Sequence, residues 1–292
     1  MYSNPCVSSS TERRPRRRRR FPLLWTVSIL AATLVLCALL WCLLMSQSPF
    51  TQVGHTPSSE PAQNVEDLTS QLEQLVQQVP EAKPLLERPA DYPQELLELA
   101  LRNREALDFV LGYPEKKDSQ PADSVGSVTK GEFPPLIQWD SRWGYSSYGD
   151  GLIAFTGCGP TALSMAICGL TGDSSVTPYA VAAYAQEAGY YVNGAGSSWD
   201  LMSVGCQHFG LTARELPLAR SSIVSALEAG QPVICSVGPG DFTTSGHFIL
   251  LTGMEDGNFR LNDPNRNSTS RQLWDYDTLA PQIRNLWAYS LA

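Results

Sequence analysis

The sequence predicts an α+β domain carried behind an N-terminal transmembrane helix and a helical stalk. Three observations lead there. An uncharged apolar run covers residues 21–45. Leu and Val then recur at three- to four-residue spacing through 65–111, the period of an amphipathic helix. From Phe133 the texture turns aromatic- and glycine-rich, with one apolar helical stretch followed by strand-like runs. The chain divides accordingly into a basic tail (1–20), a transmembrane helix (21–45), a linker (46–64), a helical stalk and linker (65–132) and a globular domain (133–292).

The run from Phe21 to Met45 is apolar apart from Thr26, Ser28 and Thr33. At about 1.5 Å per residue it is long enough to cross a hydrocarbon core of roughly 30 Å. Arg16 to Arg20 abut its N-terminal side, and Ser46 to Pro57 contain no Lys or Arg. The positive-inside rule then places the N-terminus in the cytoplasm and the rest outside the cell. A cleaved signal peptide would show a shorter apolar region ending at small residues. Here Ser46-Gln47-Ser48 makes only a weak cleavage site, so the run reads as an uncleaved anchor.

Net charge is −8 overall, but the first 20 residues hold seven arginines against one glutamate. The remainder is strongly acidic. Binding phosphate backbones needs a basic face, so nucleic acid is excluded as a partner and acidity serves solubility.

Residues 46–64 are rich in Ser, Thr, Pro and Gln and read as a linker. Val65, Leu68, Leu72, Leu75 and Val79 form one helical stripe, ended by Pro80 and Pro84. The stripe allows weak self-association of a stalk, or packing against the rest of the chain. A second helix is expected from Pro93 to Leu111, with Asp91 as N-cap, Gln94 completing a capping box, and Gly112 and Pro114 as the stop. Leu96, Leu97, Ala100, Leu107, Val110 and Leu111 supply its buried side.

Cys158 stands out among seven cysteines. Cys6, Cys37 and Cys42 fall in the tail and the apolar run. Cys168 and Cys235 sit in apolar segments and read as small core residues. No spacing fits a zinc template. Pro160 suits the first turn of a helix, which sets Cys158 just ahead of the N-terminus of the helix that holds Thr161 to Cys168. A helix dipole favours negative charge there, and Gly157 and Gly159 let a substrate backbone approach. The other reading is a buried Cys in a tight turn.

A nucleophile needs a base. His55 lies in the linker. His208 falls near the end of a helix expected over Trp199–Phe209, capped by Ser198. His247 follows the glycine-rich loop Gly238–Gly246 and opens the apolar strand Phe248–Leu251, a position that faces a cleft. Asp256-Gly257 then turns the chain into a hairpin that returns Asp263 towards His247. A regular two-residue turn would pair Asp263 with Leu250, so a bulge, or a position past the strand end, is needed. Asn262 is the alternative orienting residue.

Taken in order, Ile137-Gln138-Trp139-Asp140-Ser141-Arg142-Trp143-Gly144, Gly157-Cys158-Gly159-Pro160-Thr161, His247-Phe248 with Leu251-Thr252-Gly253, and Asn262-Asp263-Pro264 resemble the C39-like family, a branch of the papain-like cysteine peptidases. The resemblance spans roughly residues 133–290. Tyr92–Pro114 also looks like the extension that precedes such domains in some bacterial secreted members.

The resemblance implies a Cys-bearing helix packed on an antiparallel sheet that carries His and Asp. It implies Cys158 as nucleophile, His247 as general base and acid, Asp263 as the orienting residue and Gln138 as an oxyanion donor. Gln138 stands farther before the Cys than in the peptidase domains of bacteriocin transporters. The implied activity is hydrolysis of peptide or amide bonds in a peptide or protein substrate, without a cofactor. The same chemistry serves a cell-wall peptide amidase, or a transpeptidase in which an amine replaces water. A papain-fold module that only binds peptide is the non-catalytic alternative. The loops 194–198 and 238–242 are candidate substrate contacts, and Trp139, Trp143 and Trp287 read as core or cleft-wall residues.

Overall fold

A computed structural model describes residues 61–292. The basic tail, the apolar run 21–45, most of the linker and His55 lie outside the described residues. Among the described residues no helix is long and apolar enough to cross a membrane.

The five strands of the main sheet are β1 (Leu211–Glu215), β2 (Val233–Val237), β3 (His247–Glu255), β4 (Asn258–Asn262) and β5 (Ile283–Leu291). They lie in the order β1-β5-β2-β3-β4, and every neighbouring pair is antiparallel. Side chains alternate between the two faces of a strand, and both faces here are covered. One face presents Ile234, Phe248, Leu250, Trp287 and Tyr289 to the helix Cys158–Thr171. The other presents Cys235, Ile249, Leu251, Leu261 and Leu286 to Ile223 and Ala226 of the helix Arg220–Glu228. This is the expected α+β arrangement of a Cys-bearing helix on an antiparallel sheet.

Among the helices preceding the sheet are α1 (Pro61–Gln78), α2 (Gln94–Arg102), α3 (Leu107–Leu111) and α4 (Cys158–Thr171). The helix expected over Pro93–Leu111 is broken at Asn103. The Asn103 side-chain oxygen accepts from Glu105 N at 3.2 Å, a local bond that competes with continued helix. Asp91 falls in a preceding 3₁₀ turn and Pro93 takes the cap position. Gln94 bonds Glu98 rather than closing a capping box. Gly112 does not stop the chain, which takes one more helical turn over Tyr113–Lys116. The helix expected over Trp199–Phe209 likewise ends at Ser203 and continues as a 3₁₀ turn, with no cap bond from the Ser198 side chain. Gly205 at the break is buried beside Leu201 and Tyr190.

The segment 65–132 is no free-standing stalk. Leu72, Leu75, Leu85, Leu96, Ala100, Phe109 and Val110 share one core with Tyr145 and Ala154 of the globular domain. Phe109 stacks on Tyr145 with ring centroids 4.2 Å apart, and the Tyr145 hydroxyl donates to Phe109 O at 2.7 Å. Gly144 lacks room for a Cβ because Phe109 would stand 2.7 Å away. Of the apolar stripe, Leu72 and Leu75 are buried in this core, and Leu68 and Val79 pack against it. The polar stretch after it is also held down: Val125 N bonds Ser174 O at 2.9 Å and Gly131 N bonds Gly169 O at 2.8 Å.

Candidate active site

Cys158 is the first residue of α4, with Gly157 as its cap. Only glycine fits at Gly157, where a Cβ would stand 2.5 Å from Ile153 O. Gly159 is crowded in the same way, since its Cβ would meet Ser197 Oγ at 2.6 Å. The loop 194–198 therefore packs directly against the turn that carries the sulfur. Ser197 and Tyr148 share a buried hydroxyl–hydroxyl bond of 2.7 Å. α4 is apolar on all sides and buried along its length, so the Cys position is set by rigid packing.

His247 opens β3 and is 7 % exposed; Asp263 follows β4 and is 1 % exposed. Asp256 and Gly257 both take positive φ, 49° and 78°, the geometry of a tight hairpin turn. The register then shifts between Leu251 and Gly253, so that Leu251 pairs with Leu261 and Leu250 with Asn262. This bulge brings the end of β4 one residue closer to His247. A one-residue slip turns every side chain to the other face. With the shift, Leu261 and Leu251 share one buried face, and β4 ends at Asn262 opposite Leu250, with Asp263 next in the chain.

The contact follows: His247 Nε2 stands 2.7 Å from Asp263 Oδ1. A carboxylate only accepts, so Nε2 carries the proton and Nδ1 is left for Cys158. Burial alone would lower the His247 pKa. Hydrogen bonds to Asp263 and Cys158, and the charges of both, outweigh it and raise the value to about 10. Burial likewise opposes ionisation of Asp263, yet its hydrogen bonds hold the pKa below 3.8.

Asp263 is itself fixed on all sides. Its Oδ1 also accepts from Asn265 N at 2.8 Å, its Oδ2 accepts from the Thr269 hydroxyl, and its backbone N–H donates to Ser270 Oγ at 2.8 Å. Asn265, Thr269 and Ser270 were not singled out in the sequence. The only cue was the run of small polar residues Asn265 to Ser270 directly after Asp263-Pro264.

Gln138 is 4 % exposed and bridges the two halves of the site. Its backbone N–H donates to Pro264 O at 2.8 Å, and its Nε2 donates to Ala154 O at 2.7 Å, just before Cys158 in the chain. Its Oε1 has no partner. Asn262 points elsewhere, donating from Nδ2 to Phe133 O at 3.0 Å. His208 is exposed and stacks on Tyr184 with ring centroids 4.0 Å apart. Trp143 and Trp287 are core residues, whereas Trp139 donates from its indole to Asn265 O at 2.8 Å. The loop 238–242 is pinned by Gln282, which accepts from Asp241 N at 2.7 Å.

The sequence matches the Peptidase_C39 like family over residues 130–290. The chain belongs to this family. Two solved structures are similar in fold. One is the peptidase domain of Streptococcus ComA, a bi-functional ABC transporter involved in a quorum sensing pathway: 16 % identity, 55 % of this chain and 98 % of that one, TM-score 0.40. The other is assigned as a C39-like peptidase from Bacillus anthracis: 15 % identity, 57 % and 98 % coverage, TM-score 0.36. No curated protein matches the sequence. The C39-like match begins at residue 130, so α1 to α3 fall outside it although they pack against the domain it covers.

Proposed function

We propose that this C39-like chain is a cysteine peptidase that hydrolyses peptide or amide bonds through Cys158, His247 and Asp263. The observation that carries the reading is the buried His247–Asp263 bond beside a sulfur at the N-terminus of a buried helix. His247 takes the Cys158 proton, or holds the pair as thiolate and imidazolium. The sulfur attacks the substrate carbonyl carbon and the carbonyl oxygen becomes an oxyanion. His247 then protonates the departing amine as the tetrahedral intermediate collapses to a thioester. Water, deprotonated by His247, releases the acid and restores the thiol.

The oxyanion is assigned to the backbone N–H of Cys158 and to Gln138. The first amides of a helix have no intrahelical partner, and donors aimed at developing charge are the main source of such catalysis. One Gln138 amide hydrogen goes to Ala154 O; the other is the one this role requires. The membrane-anchored, outward-facing placement of the domain is part of the same proposal and rests on the uncharged run 21–45 behind Arg16 to Arg20.

A thiol-directed acyl probe on the full-length protein tests the chemistry, with Cys158→Ala and His247→Ala beside it. Labelling of Cys158 should be strong in wild type and lost in His247→Ala. Equal labelling in both would sink the peptidase reading and leave a peptide-binding module. For the placement, protease added outside intact cells should digest the C-terminal domain; full protection would reverse the orientation.

A further inference from the structure

The loop that organises Asp263 is held from outside the family-matched region. Asn103 Nδ2 donates to Asn265 O at 2.7 Å. The Glu105 carboxylate accepts from Asn267 N at 2.7 Å and from Ser268 N at 2.9 Å. Arg266 donates to Arg102 O at 3.2 Å. These bonds span more than 160 residues of chain. They converge on residues 265–268, and Asn265 within this stretch and Thr269 and Ser270 just after it all bond Asp263. Asn103 is itself buried.

We infer that the segment Arg102–Glu105, at the break between α2 and α3, is a clamp that positions Asp263 against His247. The break in the helix thus has a use. An unbroken helix through Asn103 would carry the Asn103 and Glu105 side chains on different rows and lose their common target. Glu105 supports the assignment by its own state: burial opposes its ionisation, but the bonds from residues 267 and 268 hold its pKa below 4.5. Asn103 and Glu105 are positioning residues. They act on the site through a loop, and the inference rests on the triad reading above.

The readout is alkylation of Cys158 by iodoacetamide in the full-length protein, followed by mass spectrometry from pH 5 to 10. Wild type should react faster than His247→Ala near pH 6, and the gap should narrow towards pH 10. Glu105→Ala and Asn103→Ala should react about tenfold or more slowly near pH 6, since small misplacements of catalytic groups cost factors of that size. Their profiles should also move towards that of His247→Ala. Glu105→Gln keeps one acceptor oxygen and should recover part of the loss. Lys83→Ala, in an exposed ion pair with Glu87, should match wild type.

Profiles of both clamp variants that superimpose on wild type would overturn the clamp while leaving the triad standing. So would a rate reduced equally at every pH, which signals only general damage. If wild type and His247→Ala already coincide, the triad itself fails. Should Glu105→Ala not fold, Asn103→Ala carries the comparison, because Trp139 still bonds Asn265 O.

Discussion

Asp263 lies one residue beyond the end of β4, yet its Oδ1 stands 2.7 Å from Nε2 of His247, the first residue of β3. The bulge at Thr252 makes this possible. It keeps Leu251 and Leu261 together in the core, while Asp263 bonds the imidazole and Asn262 bonds Phe133 O instead.

That bond should be worth most of the base catalysis. Asp263→Asn leaves the shape but removes the charge that holds the imidazolium. Turnover of the acyl probe should fall about a hundredfold or more, the range for losing a positioned general base. A comparable loss in Asn262→Ala, or none in Asp263→Asn, would return the orienting role to Asn262.

Stability should depend on pH through the same pair. The His247 pKa is raised from 6.5 to about 10 in the fold. Its contribution is fully present below pH 6.5 and is lost as pH rises through about 10. Asp263 has the opposite sign: its depressed pKa contributes above pH 3.8 and the gain is lost in acid. Thermal melts should therefore shift downward between pH 6.5 and 10, and the shift should shrink in His247→Gln. An identical alkaline shift in both proteins would show that another group controls it.

Native thiol labelling should separate the described cysteines. Cys168, Cys206 and Cys235 are buried free thiols, and burial pushes Cys168 and Cys206 up to about 11 and Cys235 higher still. Cys158 is only half-buried. Mass spectrometry after brief iodoacetamide treatment at pH 7 should find Cys158 modified ahead of the other three. Earlier modification of Cys206 or Cys235 would move the site.

Gly159→Ala should damage both packing and activity. Its Cβ would lie 2.6 Å from Ser197 Oγ and 2.8 Å from Ser197 Cβ. Overpacking of this kind costs about 1–3 kcal/mol, and it pushes the Ser197 loop away from Cys158. A urea midpoint equal to wild type would show that the loop yields freely.

Phe109→Ala tests whether the helical segment is part of the fold. Removing a buried Phe costs about 3–5 kcal/mol. One cooperative transition, destabilised as a whole and followed by tryptophan fluorescence, is the expected result. A separate stalk would leave the main transition unmoved.

Much of the site was legible because catalysis needs rare residues in special settings. Cys158 was isolated by Gly157, Gly159 and Pro160, and His247 by its place between a glycine-rich loop and an apolar strand. The turn at Asp256-Gly257 was legible for the same local reason, since few residues accept positive φ in succession. What escaped were features created by contacts distant in sequence. Nothing near Asn103 announces that its side chain will both break a helix and reach Asn265. Thr269 and Ser270 look like ordinary loop residues until the chain folds back on Asp263.

The sequence by itself determined the Cys-bearing helix, the strand that follows His247 and the hairpin, because each is written in short-range propensity and apolar period. Only the tertiary structure decided between Asp263 and Asn262, joined α1 to α3 to the domain, and brought Asn103 and Glu105 to the Asp263 loop. The physical reason is that strand register and helix docking depend on which apolar faces meet. A single bulge at Thr252 changes the face without changing a residue.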